Sequence, residues 1–200
     1  MWDDRYKNED FAYGKEPNDF LREEFTRIPA GGHVLCLAEG EGRNAVFLAE
    51  QGYQVTAMDL SEVGLKKAQQ LAKEKGVTIS TQVADLAKYP LEIDSWDGIV
   101  SIWAHVPESI RQQVHAQVAH ALKPEGIFLL EAYTYQQTKM EAVGGPSAEQ
   151  QDRFGSLTNL RSELVKLEEV IGVEKQRIVS EGARHQGLSA VVQFIGKKIS

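Results

Sequence analysis

The chain has 200 residues, of which 42% are hydrophobic and 26% charged. That suits one domain with a sizeable core and excludes a disordered tail. With Lys+Arg at 22 and Asp+Glu at 29, the formal charge is −7, which argues against a sequence-independent grip on nucleic-acid phosphates and against a polybasic membrane contact. Cys36 is the only cysteine, so neither an intramolecular disulfide nor a thiolate zinc cage can come from this chain alone. No run approaches the roughly 18 apolar residues that span a bilayer. The start, MWDDRYKNED, is too acidic for a secretory or transit leader. A soluble cytoplasmic protein is expected.

Residues 1–30 read as irregular and aromatic-rich (Trp2, Tyr6, Phe11, Tyr13), except for a short helix over Asp19–Arg27 capped by Asn18. After Gly31-Gly32 the pattern becomes regular. HVLCLA (33–38) is a buried strand, and a glycine turn follows. AVFLAEQ is a helix ended by Gly52. YQVTAM (53–58) is a second strand, and Ser61 caps a helix that runs to Lys75. TISTQVA (78–84) is a third strand and DGIVSIW a fourth, apolar enough to be buried on both faces.

Ile110, Val114, Val118 and Ala121-Leu122 mark a helix over Glu108–Leu122, and His115 and His120 fall on what reads as its solvated face. Lys123 to Gly126 is a turn before a fifth strand, 126–133. Residues 134–156 are too long and polar for a mere connector and suggest a lid or binding loop. Leu157–Val165 is a last helix. Two β-rich segments near 166–179 and 188–196 then flank EGARHQG as an antiparallel hairpin. Alternation of strands and helices implies a parallel sheet covered on both faces.

Chemistry concentrates at the carboxyl ends of these strands. The turn Ala38-Glu39-Gly40-Glu41-Gly42-Arg43-Asn44-Ala45 brings backbone close to a ligand at a helix N-terminus. Glu39 and Glu41 beside its glycines would repel a pyrophosphate. They suit a ligand that is positively charged there, such as S-adenosylmethionine with its ammonium and sulfonium groups. Asp59, ending strand two, is a candidate for ribose hydroxyls. Asp85, after strand three, is a candidate for the adenine amine. Gly40-x-Gly42-x-x-Ala45 with Asp59 also fits a nicotinamide-dinucleotide fingerprint, so an NAD(P)-linked oxidoreductase stays open. So does a non-catalytic nucleotide-binding module. No P-loop, no G-x-S-x-G elbow and no metal-ligand spacing is visible.

YGKEPNDFL (13–21), VLCLAEGEGRNAVFLAEQGYQVTAMDLS (34–61), VADL (83–86), SWDGIVSIWAHVP (95–107) and LKPEGIFLLEAY (122–133) resemble a class I S-adenosylmethionine-dependent methyltransferase. The likeness is to the small-molecule group that includes the tellurite-resistance and thiopurine methyltransferase-like proteins. The chain departs from that pattern at Cys36, where an acid is usual, and at Ala38, where the first glycine is usual. Glu39 is the candidate substitute for the missing acid.

The resemblance implies an α/β, Rossmann-like three-layer sandwich. Its seven-stranded, mostly parallel sheet would run 3-2-1-4-5-7-6, with strand seven antiparallel. Residues 1–200 would form one methyltransferase domain: an N-terminal lid (1–30), a cofactor-binding core (31–133), a substrate loop (134–156), and a last helix with hairpin (157–200). S-adenosyl-L-methionine would contact Tyr13, Glu39, Gly40, Gly42, Asp59, Leu60, Asp85, Leu86 and Trp103. His105 is the first candidate for a base or a substrate hydrogen bond, and Tyr133 shares its rim. The hairpin adds His185 and Arg184 on the substrate side. Glu131 is read as structural. The expected partner is a small-molecule methyl acceptor (thiol, hydroxyl or metalloid oxyanion), with no nucleic acid and no membrane. Strand four lacks the (Asn/Asp)-Pro-Pro-aromatic motif of nucleic-acid amino-methyltransferases.

Overall fold

A computed structural model of the chain describes residues 2–8 and 10–199. Met1 and Glu9, in the expected lid, and Ser200 lie outside the described residues. Seven strands form one sheet: β1 (His33–Leu37), β2 (Gln54–Asp59), β3 (Ser80–Val83), β4 (Trp96–Ile102), β5 (Leu122–Tyr133), β6 (Glu168–Glu181) and β7 (His185–Lys197). Their order is β3-β2-β1-β4-β5-β7-β6. The pairings from β3 through β5 are parallel, and β7 runs antiparallel to both β5 and β6. This is the expected order.

The helices are α1 (Trp2–Tyr6), α2 (Asp19–Glu24), α3 (Arg43–Glu50), α4 (Glu62–Glu74), α5 (Glu108–Ala121) and α6 (Leu157–Glu163). Side chains alternate across the sheet. Val34 and Cys36 of β1, with Val100 and Ile102 of β4, pack in one apolar cluster with α2, α3 and α4. Leu35 and Leu37, with Ile99, Phe128 and Leu130, pack in another with α5 and α6. The chain is thus three layers, with apolar residues on both faces of its central strands, as a parallel sheet requires. None of its helices, among the described residues, is long and apolar enough to cross a membrane.

The caps act as their residue types dictate. Asn18 accepts from the Leu21 N–H, Ser61 from Gly64 and Ser156 from Asn159. The structure differs from expectation at several ends. The start of the chain includes a short helix, α1, and α6 stops at Glu163. The β6–β7 hairpin is longer than its apolar segments, because ladder bonds continue through polar residues as far as Glu181 paired with His185. β5 includes the Lys123–Gly126 corner, where Glu125 has φ +69°. His115 is buried, not solvated: its Nδ1 lies 2.6 Å from Glu163 Oε2, a partner 48 positions away that helical periodicity cannot reveal.

Gly42, ahead of α3, has φ +88°, and a Cβ there would sit 2.4 Å from the Ala68 Cβ of α4. Both facts require glycine. Gly42→Ala should therefore destabilise the fold by about 3 kcal/mol through left-handed strain and overpacking, measured by urea unfolding.

Candidate active site

The carboxyl ends of β1, β2, β3 and β4 open onto a cavity of about 420 Å3, which α1, the Tyr13-Gly14 turn and the loop 134–156 overlap from above. Tyr13, Glu39, Asp59, Leu60, Asp85, Leu86, Trp103, His105 and His185 all line it. Gly40 and Gly42 do not; they shape the turn. A Cβ on Gly40 would meet the Tyr6 hydroxyl at 2.6 Å, so that glycine makes room for the α1 aromatic. Tyr133 is fully buried beside the cavity, under Gly144 and Gly145. His185 is buried in the site, whereas Arg184 is exposed and lines no part of the cavity.

The acid end is built from backbone contacts. Glu39 Oε1 accepts from the Asn44 and Ala45 amides at 2.9 and 2.8 Å, so its carboxylate occupies the N-terminus of α3. Burial raises its pKa to about 7, against the pull of those amides and of Arg43. Asp59 accepts from Gly40 N at 2.8 Å and Ser61 N at 2.7 Å. Burial raises its pKa as well. Glu41 is committed elsewhere, to Lys67 and to the Ala12 amide at 2.8 Å, which ties down the N-terminal segment. Asp85 accepts from the Ala87 amide at 2.9 Å.

The opposite end is aromatic. The rings of Trp103 and Tyr133 stack at 4.3 Å between centroids, His105 stacks on Tyr133 at 5.4 Å, and His185 meets Tyr133 edge-on at 5.4 Å and Tyr13 at 4.8 Å. Three buried polar atoms in this cluster have no hydrogen-bond partner: His105 Nε2, Tyr133 Oη and His185 Nδ1. Buried polar atoms are normally satisfied, and the two histidine nitrogens belong to residues that line the cavity, so they point to a missing ligand, whereas the Tyr133 hydroxyl lies behind them near Ser189. The His105 Nδ1 lies 3.3 Å from the Arg153 carbonyl, which can only accept. Nδ1 therefore carries the hydrogen, and Nε2 presents its lone pair. Burial lowers the His105 pKa to about 4, and burial together with the Arg43 charge lowers that of His185 to about 3. Both rings are neutral at pH 7 and act as hydrogen-bonding groups rather than strong bases.

Trp103 has φ +56°, a conformation that a bulky residue holds only under constraint. The constraint is a charge network that sequence reasoning missed. Glu181 accepts from Trp103 Nε1 at 2.6 Å, Arg43 at 2.5 Å, Arg177 at 2.9 Å and Asn18 Nδ2 at 2.9 Å. Glu131 accepts from Arg177 through two nitrogens, from Asn18 Nδ2 at 2.6 Å and from Gln193 at 2.7 Å. The pairing of Arg177 with Glu181 at i,i+4, on one side of a strand, was the only local signal.

A family model for methyltransferase domains matches residues 34–126. The chain carries a methyltransferase domain. That domain includes the glycine turn, Asp59, Asp85, Trp103 and His105. The chain is 31% identical over 108 residues to the tRNA 5-carboxymethoxyuridine methyltransferase of Escherichia coli (strain K12), a match covering 50% of this chain and 40% of that protein. It is 29% identical over 139 residues to the glycine/sarcosine N-methyltransferase of Halorhodospira halochloris, covering 67% and 48%. The chain thus spans less than half the length of these relatives.

Among solved structures, the N-methyltransferase NodS from Bradyrhizobium japonicum WM9, in complex with S-adenosyl-L-homocysteine, superposes with a TM-score of 0.71 at 16% identity, covering 100% of this chain and 97% of that one. TehB from Haemophilus influenzae superposes with a TM-score of 0.72 at 16% identity, covering 98% and 65%. The fold of the methyltransferase domain and its flanking segments is the Rossmann-like class I fold.

The network also sets a pH response. Burial alone would raise the Glu181 pKa, but the Arg43 charge, the Trp103 N–H and Arg177 outweigh it and hold it at about 2. Because the folded value lies below the ordinary 4.5, the stabilisation is present above about pH 4.5 and lost as pH falls toward 2. Urea midpoints should fall across that window. Glu181→Gln should flatten the dependence and cost about 3 kcal/mol at pH 7 by leaving buried guanidinium charge uncompensated.

Proposed function

We propose that this protein is an S-adenosylmethionine-dependent methyltransferase acting on a small-molecule acceptor in the cytoplasm. The observation that carries the choice of ligand is the Glu39 carboxylate at the N-terminus of α3. In a dinucleotide-binding fold those amides receive the pyrophosphate. Here an anion of the chain already fills the place, which disfavours NAD(P) and suits a cationic ligand. Glu39 would face the ammonium group, in place of the acid missing at Cys36. Asp59 would take the ribose hydroxyls, Asp85 the adenine amine, and Leu60 and Leu86 the base. The resemblance noted above and the S-adenosyl-L-homocysteine held by NodS support this reading.

The bound cofactor supplies an electrophilic methyl on a sulfonium. The chain's contribution is then alignment and exclusion of water. His105 Nε2, Tyr133 Oη and His185 Nδ1 would orient the acceptor by hydrogen bonds. The 1–30 segment would close over the cofactor, and the 134–156 loop over the acceptor, as parts of a single 1–200 domain. The −7 charge favours a small acceptor over RNA.

Calorimetry tests this directly. S-adenosyl-L-homocysteine should bind and NAD should not. Asp59→Asn should weaken the former by about tenfold. Affinity should rise as pH climbs through about 7, where Glu39 ionises, and Glu39→Gln should abolish that rise. NAD binding without S-adenosyl-L-homocysteine binding overturns the reading.

A further inference from the structure

On the methyltransferase reading, we propose that the methyl acceptor is a small, flat molecule bearing an anionic group, and that Arg153 is the residue that selects it. Arg153 closes the 134–156 loop and lines the cavity beside His105, where its charge is felt by that ring. Among the described residues its guanidinium pairs with no carboxylate. The backbone around it is clamped from behind: Arg111 donates to the carbonyls of Asp152 at 3.2 Å and Phe154 at 3.3 Å, and is itself held by Glu163 at 2.9 Å. The main chain that carries Arg153 is therefore fixed at the acceptor end.

Arg5, the other such cation, is set apart from Arg153 on α1, which packs against Gly40 and Ser61 at the cofactor end. It donates to the Tyr13 hydroxyl at 2.8 Å and lies 4.6 Å from the Trp2 ring centroid, with no carboxylate partner among the described residues. The acids that line the cavity are engaged elsewhere: Glu39 with α3, Glu41 with Lys67, Asp59 with the Gly40 and Ser61 amides, and Asp85 with the Ala87 amide. The acids thus lie at the turns after β1, β2 and β3, and the cation without a carboxylate beside His105 is Arg153. A cation in a partly desolvated wall is stabilised by an anion brought to it. The flat wall comes from the rings of Trp103 and His105, which line the cavity, are inclined to one another by 26° and are backed by the buried Tyr133. Such a wall takes a planar ligand laid against it.

The test uses fluorine NMR titrations of the full chain saturated with S-adenosyl-L-homocysteine, with 4-fluorobenzoate, 4-fluorobenzamide and 4-fluorobenzylamine as probes. The benzoate should bind about tenfold more tightly than the isosteric amide, and the amine more weakly than either. Arg153→Gln should bring the benzoate down to the level of the amide while leaving S-adenosyl-L-homocysteine affinity unchanged. The main-chain carbonyl that meets His105 survives that substitution. The proposal is overturned if the benzoate does not bind, if amide or amine binds as well as it does, or if the preference persists in Arg153→Gln. Failure of S-adenosyl-L-homocysteine itself to bind would instead overturn the methyltransferase reading on which this one stands.

Discussion

Two carboxylates and two guanidiniums meet inside this protein, and the geometry of the site depends on their doing so. Glu131 and Glu181 are buried, and each accepts four hydrogen bonds, from Arg43, Arg177, Asn18, Trp103 and Gln193. Either charge left alone there would be strongly destabilising. Together they balance, and every oxygen is satisfied. The network joins the N-terminal segment, the start of α3, the end of β5 and the β6–β7 hairpin, which the chain separates by up to 163 positions. It also holds Trp103 in a left-handed backbone conformation that the residue would not adopt unaided.

The cavity inherits its polarity from that arrangement. Arg43 is paired with Glu181, and beside His105 the cation without a carboxylate partner among the described residues is Arg153. The acids gather at the opposite end, on the turns after β1, β2 and β3. Between them stands a cluster of rings in which His105 Nε2 and His185 Nδ1 have no hydrogen-bond partner among the described residues. Because burial keeps both histidines uncharged at neutral pH, the stack offers hydrogen bonds and shape without adding charge. That suits methyl transfer, in which positioning and dryness matter more than proton transfer when the nucleophile is already ionised.

Much of the fold was legible in the sequence because its signals are local. Gly52 and Gly76 end helices, Ser61 and Asn18 begin them, and DGIVSIW is too apolar to be anything but a strand buried on both faces. The sheet order was legible only through the resemblance to known methyltransferases. The candidate site was legible where its residues end a strand or closely follow one, as Asp59 ends β2 and His105 follows β4. It was not legible where two distant polar residues meet. Nothing near Glu131 announces Arg177, and nothing near His115 announces Glu163. The turn glycines carry a packing constraint that their spacing does not announce: a Cβ on Gly42 would meet Ala68, and one on Gly40 would meet Tyr6.

The charge network thus builds one cavity with acids at the cofactor end and unpartnered histidine nitrogens at the reacting end. A crystal structure with S-adenosyl-L-homocysteine tests it most directly. The account predicts the ribose at Asp59 and the thioether sulfur directed at His105, Tyr133 and His185. A ligand bound the other way round, with its sulfur turned from that cluster, would contradict it.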